Sequence, residues 1–186
     1  MGLPRRTDEN YTFADYCTWD DGERWELIEG VPYAMSPAPF QRHQEICGEI
    51  FGQLREFLKG KPCKVFIAPF DVRLNADKED DTVCQPDVLV VCDNARLDGK
   101  RCNGAPDLIV EVLSPSTARH DRVVKFRLYQ KAGVREYWLI DPDTETVQVN
   151  ILKDGKYYTQ MYAETDTAPV SVLDGCNLDL SDVFAQ

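Results

Sequence analysis

The 186-residue chain contains no apolar run approaching the about 18 residues that a membrane-spanning helix needs. Its start, Met1-Gly2-Leu3-Pro4-Arg5-Arg6-Thr7-Asp8, is not followed by the apolar stretch of a secretory leader. The cysteines are odd in number, seven, at 17, 47, 63, 84, 92, 102 and 176, and none are paired as C-x2-C or C-x4-C. That spacing argues against a zinc knuckle or a complete disulfide framework, and the simplest expectation is reduced thiols in a cytoplasmic protein, several packing as small hydrophobes. Neither a G-x-x-x-x-G-K-[ST] loop nor a G-x-G-x-x-G loop is present, so nucleotide-cofactor chemistry lacks its phosphate cradle. Ser114, Ser116, His120 and Asp121 are the residue types of a hydrolase triad, but they crowd into eight positions and no G-x-S-x-G elbow accompanies them. They read as helix-entry chemistry, with Ser116 or Thr117 as the N-cap.

What is present is a globular composition. Hydrophobic residues make up 43% and charged residues 28%, enough core for one domain and too little chain for two, so a tail over 1–10 and a single domain over 11–186 are expected. Net charge is −11, from 21 basic and 32 acidic residues, and such a field repels phosphate overall. The charge is uneven. Arg119, Arg122, Lys125, Arg127, Lys131 and Arg135 face one acid, Asp121, across a single segment. A solvated helix face is the ordinary reading of such a run, and a surface turned to a polyanion the functional one.

Periodicity predicts a mixed α/β order. Thr12-Phe13-Ala14-Asp15 resembles a capping box, and Trp25 to Met35 reads as two strands around a Glu29-Gly30 turn. Phe40, Ile46, Cys47, Ile50, Phe51, Leu54, Phe57 and Leu58 follow helical spacing from Pro39 to Leu58. Short β-rich runs at 65–68, 70–74, 87–91 and 108–113 are expected to form one central sheet. The last, Leu108-Ile109-Val110-Glu111-Val112-Leu113, is apolar enough to be covered on both faces. A second helix is predicted from Thr117 to Ala132, then strands at 136–140, 146–151 and through 157–161.

Glu111 is the residue that needs explaining, because a carboxylate in a buried strand costs several kcal/mol unless a cation meets it. Asp87, after Pro86 at the head of Val88-Leu89-Val90-Val91, is the candidate second acid. Two such carboxylates suit Mg²⁺, which binds through one or two acids plus waters and phosphate oxygens. A lysine would orient the attacking water or stabilise developing charge. Asp121, Lys125 and Tyr129 lie at i, i+4 and i+8, one helical face, and Lys125 is the candidate. The alternative is a surface Asp121–Lys125 ion pair with no catalytic meaning.

Gln85-Pro86-Asp87-Val88, Ala105-Pro106-Asp107-Leu108-Ile109-Val110-Glu111-Val112-Leu113-Ser114-Pro115-Ser116-Thr117, the Asp121/Lys125/Tyr129 face and Gly133-Val134-Arg135-Glu136-Tyr137-Trp138-Leu139-Ile140-Asp141-Pro142 resemble the Uma-two family of bacterial endonucleases. Trp25-Glu26-Leu27-Ile28-Glu29-Gly30 and His43 also match its pattern. The resemblance implies a restriction-endonuclease-like PD-(D/E)XK fold: a mixed central sheet flanked by helices, with an N-terminal hairpin and extra C-terminal strands. It implies Asp87 and Glu111 as metal-holding acids, with the Val112 carbonyl joining them around Mg²⁺ or Mn²⁺. Leu113 stands where the superfamily places its lysine, so the resemblance implies a lysine migrated to Lys125. Glu26 and His43 are implied as outer contributors to catalysis. DNA is the implied substrate, with a homodimer expected only by analogy to nucleases that cut two strands. The rival readings are a catalytically silent module of the same fold that binds nucleic acid or protein, and an acidic structural oligomer whose carboxylates merely pair with Lys125.

Overall fold

The computed structural model describes residues 10–35, 40–76 and 79–185. Pro39, the expected start of the long helix, and most of the expected N-terminal tail lie outside them. A capping box at Thr12 opens α1 (Phe13–Tyr16), the Thr12 and Asp15 side chains each meeting the other's backbone N–H. Strands β1 (Trp25–Ile28) and β2 (Val31–Ala34) pair with Ile28 opposite Val31. Glu29 and Gly30, at φ 48° and 77°, make the two-residue left-handed turn that such a hairpin requires.

Helix α2 (Gln41–Leu58) buries Ile46, Cys47, Ile50, Leu54 and Leu58. Phe40, counted in that stripe on spacing, is instead 81% exposed, because it precedes the first helical turn. Strands β3 (Lys64–Ile67), β4 (Val72–Arg73), β5 (Val83–Cys84), β6 (Val88–Val91), β7 (Cys102–Asn103) and β8 (Leu108–Val112) follow, with a short 3₁₀ turn at Asn94–Arg96. A π-helix (His120–Lys125) runs into α3 (Phe126–Ala132), which ends at Gly133 in the left-handed conformation. The chain finishes with β9 (Glu136–Asp141), β10 (Thr146–Lys153), β11 (Lys156–Ala163), β12 (Thr167–Pro169), β13 (Asn177–Asp179) and α4 (Leu180–Val183).

Among the described residues the strands divide into a six-stranded mixed sheet, β11-β10-β9-β8-β6-β3, and a smaller sheet, β2-β1-β5-β4-β7, with β12 and β13 paired separately. This corrects the expectation of one central sheet: the 70–74 run belongs to the smaller sheet, where Val72 pairs with Cys84 and Cys102. Strands β8 and β9 are parallel, joined through the π-helix and α3. Strand β8 is covered on both faces, as its apolar run requires. Leu108, Val110 and Val112 pack in the core beneath α2, while Ile109 and Leu113 join Tyr129, Tyr137 and Leu139 beneath α3. Trp138 and Tyr137 are fully buried, so neither offers a stacking surface.

Cys63 and Cys92 form a disulfide, which corrects the reading of all seven cysteines as reduced thiols. Antiparallel pairing sets Lys64 opposite Val91, so Cys63 and Cys92 are the next cross-strand pair, Cα atoms 4.0 Å apart. A register contact of this kind leaves no trace in sequence spacing. Ser114 Oγ accepts the Thr117 N–H in the turn leading into the helix, and the N-cap position of the π-helix itself is Arg119, with no side-chain cap, not Ser116 or Thr117.

Candidate active site

The site lies where β6 and β8 end together. Val88 pairs with Val110, so one further step of antiparallel register brings Asp87 level with Glu111, whose side chain turns toward α3. The β8 carboxylate is 4% exposed, and its Oε1 accepts from Lys125 Nζ at 2.9 Å and from the Tyr129 hydroxyl at 2.9 Å. Among the described residues, no hydrogen bond reaches its Oε2. Burial pushes the Glu111 pKa well up, Lys125 opposes that push, and the nearby Asp87, Asp121 and Glu26 add to it.

The lysine comes from an unusual local structure. Residues His120–Lys125 form a π-helix closed by a Phe126 N–H to Asp121 carbonyl bond, i to i+5, where spacing alone predicts ordinary α-helix. The wider turn carries Lys125 inward, where it is 5% exposed. Its Nζ lies 3.0 Å from Glu26 Oε1 and 3.7 Å from Asp121 Oδ1, in addition to Glu111. The Asp121–Lys125 pair is therefore buried rather than a surface ion pair. These three carboxylates hold the ammonium charged, raising its pKa against the burial that would lower it. Glu26 reaches the cluster because β1 pairs with β5, and its Oε1 also accepts the Gln85 N–H at 2.9 Å. Gln85 in turn donates to Asp71 Oδ1, which the Tyr16 hydroxyl also meets, tying the Gln85-Pro86-Asp87 turn to the smaller sheet.

Asp87 is held from the other side. Its Oδ2 accepts the Val112 N–H at 2.8 Å and lies 3.3 Å from His43 Nε2, while among the described residues Oδ1 has no hydrogen-bond partner. Burial would lower the His43 pKa, but the Asp87 carboxylate beside Nε2 outweighs it, so the imidazole pKa is raised. On the opposite ring edge, Nδ1 is 3.5 Å from Cys47 Sγ. Ligand atoms of His43, Cys47 and Asp87 all lie within 4.8 Å of one another.

The structure thus gathers Glu26, Glu111 and Lys125 directly, and Asp87, His43 and Val112 directly, with β6–β8 register joining the two groups. Leu113, at the superfamily lysine position, is buried beneath α3. Sequence reasoning gave Tyr129 no task beyond sharing the Lys125 face, and it passed over Cys47, whose i,i+4 spacing from His43 was the available signal. Four carboxylates, Glu26, Asp87, Glu111 and Asp121, surround one lysine and one histidine, so a full complement of protons on both bases still leaves a deficit of two positive charges. Among the described residues, the Asp87 and Glu111 carboxylates each keep one oxygen without a hydrogen bond. A divalent cation fits that donor set and that deficit.

The basic segment is mostly committed elsewhere. Arg122 pairs with Asp141 at 2.8 Å, Lys131 with Glu29 at 2.8 Å and Arg135 with Asp107 at 2.9 Å. Among the described residues only Arg119 and Arg127 of that segment have no ion pair, and both are exposed. Tyr33, the cross-strand partner of Glu26, contacts the His120 ring at 4.8 Å between centroids.

A family model described as "Uma2: Putative restriction endonuclease" matches residues 12–181. A Synechocystis sp. protein named "Uncharacterized protein slr1290" is 29% identical over 157 residues, covering 82% of this chain and 80% of its own. A crystal structure from Anabaena variabilis ATCC 29413, described as "a putative nuclease belonging to DUF820", superposes with a TM-score of 0.76 at 23% identity. That match covers 94% of this chain and 98% of the other, and it establishes the shared fold.

Proposed function

Because the chain belongs to the Uma2 family, we propose that it is a metal-dependent endonuclease hydrolysing phosphodiester bonds in DNA. One observation carries this reading: a buried lysine, bonded to Glu111 and Glu26, sits where the neighbouring central strands β6 and β8 bring Asp87 and Glu111 level with each other. Asp87, Glu111 and the Val112 carbonyl would hold Mg²⁺ or Mn²⁺. When bound, such an ion supplies neutralisation of the scissile phosphate and a more acidic water.

The chain's own groups do the rest. Glu111 fixes the Lys125 ammonium through Oε1 and leaves Oε2 for the ion. Glu26 takes a second bond from Lys125, so the ammonium cannot swing away from the end of β8. Lys125, already charged and already desolvated, orients the nucleophile and stabilises charge developing on the phosphate without reorganising. Tyr129 holds the other side of Glu111 Oε1 and is fixed edge-on against Tyr137, ring centroids 4.9 Å apart. Asp121 balances the lysine from one turn earlier on its own helix.

The test is incubation of purified protein with supercoiled and single-stranded DNA in Mg²⁺, in Mn²⁺ and with a chelator. Metal-dependent nicking that the chelator abolishes is the expected result. Binding without cleavage under every metal would instead establish a silent module of the same fold. A cytoplasmic homodimer, presenting a second site to the other strand, belongs to the same proposal, and sedimentation with and without DNA checks its stoichiometry.

A further inference from the structure

One side chain at the edge of this site faces the same oxygens that the nuclease reading gives to the metal. His43 and Cys47 stand one turn apart on α2, and Cys47 is buried in the core at 2% exposure. Its sulfur therefore fixes the Nδ1 edge of the ring, 3.5 Å away. The opposite nitrogen, Nε2, points at Asp87 Oδ2 from 3.3 Å. Without its Nε2 proton the ring turns a nitrogen lone pair toward the Asp87 oxygen, an arrangement that can hold a cation between them, and ligand atoms of His43, Cys47 and Asp87 lie within 4.8 Å of one another. The surroundings favour a cation with two charges, since Glu26, Glu111 and Asp121 share a single ammonium.

We propose that His43 is itself a metal ligand, completing a nitrogen-and-oxygen set with Asp87 and the Val112 carbonyl, and that the site therefore selects a first-row transition ion over Mg²⁺. The inference rests on the reading that Asp87 and Val112 face the ion, and it adds what that reading leaves open, the kind of ion. Magnesium demands hard oxygen donors and gives up water reluctantly, whereas imidazole is a ligand for the softer divalent ions, with affinity rising from Mn²⁺ toward Co²⁺. Cys47 then acts as the group that anchors the far nitrogen and sets the ring's orientation, the task that metal-bound histidines give to an outer partner.

The experiment is equilibrium binding of Co²⁺, Mn²⁺ and Mg²⁺ to wild-type protein, His43→Ala and His43→Asn, each shown folded by circular dichroism. Co²⁺ binding is followed in its visible spectrum. Wild type is expected to bind Co²⁺ more tightly than Mg²⁺, and both variants should lose at least about tenfold in Co²⁺ affinity while Mg²⁺ affinity stays within twofold. A hyperfine-shifted, exchangeable imidazole N–H resonance should appear in the Co²⁺ protein and vanish in His43→Asn, a signature that merely structural packing by His43 would not produce. Equal Co²⁺ affinity in wild type and both variants, with Asp87→Asn losing it, overturns the proposal and leaves the nuclease reading standing. Co²⁺ binding that depends on His43 in a protein that cleaves no DNA supports the proposal and removes the nuclease reading. No metal binding by wild type overturns both.

Discussion

Lys125→Met isolates the buried charge cluster. Lys125 Nζ meets Glu111 Oε1 at 2.9 Å and Glu26 Oε1 at 3.0 Å, with side chains only 6–7% exposed. Methionine keeps much of the stem's packing and deletes the charge. Removing one partner of a buried ion pair costs about 3–5 kcal/mol, because the remaining charge is neither solvated nor paired. Here two strong contacts go at once, and Asp121 loses a third at 3.7 Å, so the upper part of that range applies at pH 8. The carboxylates have one escape, which is to bind a proton. Burial already pushes Glu111 above its ordinary value near 4.5, and Lys125 is the group that restrains it; without Lys125 the folded-state pKa rises further. A carboxyl whose folded pKa exceeds its unfolded pKa lends stability below the unfolded value and forfeits it as pH rises through the folded one. The deficit of Lys125→Met should therefore shrink as pH falls from 8 toward 4.5, by about 1.4 kcal/mol for each pH unit over which one extra proton is held. Urea unfolding of both proteins at pH 8 and pH 5.5, followed by circular dichroism, measures it. A deficit below about 1 kcal/mol at pH 8, or one identical at the two pH values, would refute the charge argument.

Arg127→Ala should weaken DNA binding and reduce the slope of log affinity against log salt by about 0.9, the loss of one phosphate contact; Arg122→Ala should change it less, its guanidinium being engaged by Asp141. Binding measured by fluorescence anisotropy across a salt series separates the two, and equal slopes for both variants would contradict the assignment. Leu54→Ala, a fully buried residue of α2, should lower unfolding free energy by about 2–5 kcal/mol without altering metal affinity, checked by denaturant titration and Co²⁺ binding on the same samples. Asp98 accepts from the Lys100 and Arg101 N–H groups and from Asn103, which lowers its pKa to about 2. Its loop is therefore stabilised above the ordinary value of 3.8 and loses that support as pH falls toward 2; a carboxyl NMR titration midpoint near 3.8 would show the hydrogen bonds absent in solution.

Much of the architecture was legible because it follows from local pattern. The α2 stripe, the two-faced apolar run of β8, the Glu29-Gly30 turn and the Gly133 stop each depend on a few neighbouring residues, and period and φ preference expose them. The division into two sheets was not legible. Val72–Arg73, Val83–Cys84 and Cys102–Asn103 are two-residue strands, too short to carry a period, and they exist through pairing partners distant in the chain. At the site, Glu111 announced itself as a charge in an apolar strand, and Lys125 as the base on the nearest helix. The π-helix that turns Lys125 inward was invisible, because i,i+4 spacing looks the same whichever helix type forms. Glu26 was recognisable only by its match to a family pattern, since β1 reaches the cluster through the smaller sheet. The disulfide and the His43–Cys47–Asp87 grouping likewise follow from strand register and from the lie of α2 on the sheet, contacts that only the folded chain creates.

The central claim is that Asp87 and Glu111 hold the ion that makes this protein a nuclease, and Glu111→Gln tests it most directly. Glutamine preserves the shape and can still meet Tyr129, but it removes the charge that a divalent ion needs. Rates of supercoiled-plasmid nicking by wild type and Glu111→Gln, measured side by side in Mn²⁺ with DNA binding followed in parallel, are the deciding comparison. The account predicts a rate lowered by about 10²–10³ or more, with DNA affinity unchanged or higher, since one negative charge near the phosphates is gone. Nicking by Glu111→Gln at the wild-type rate would contradict it.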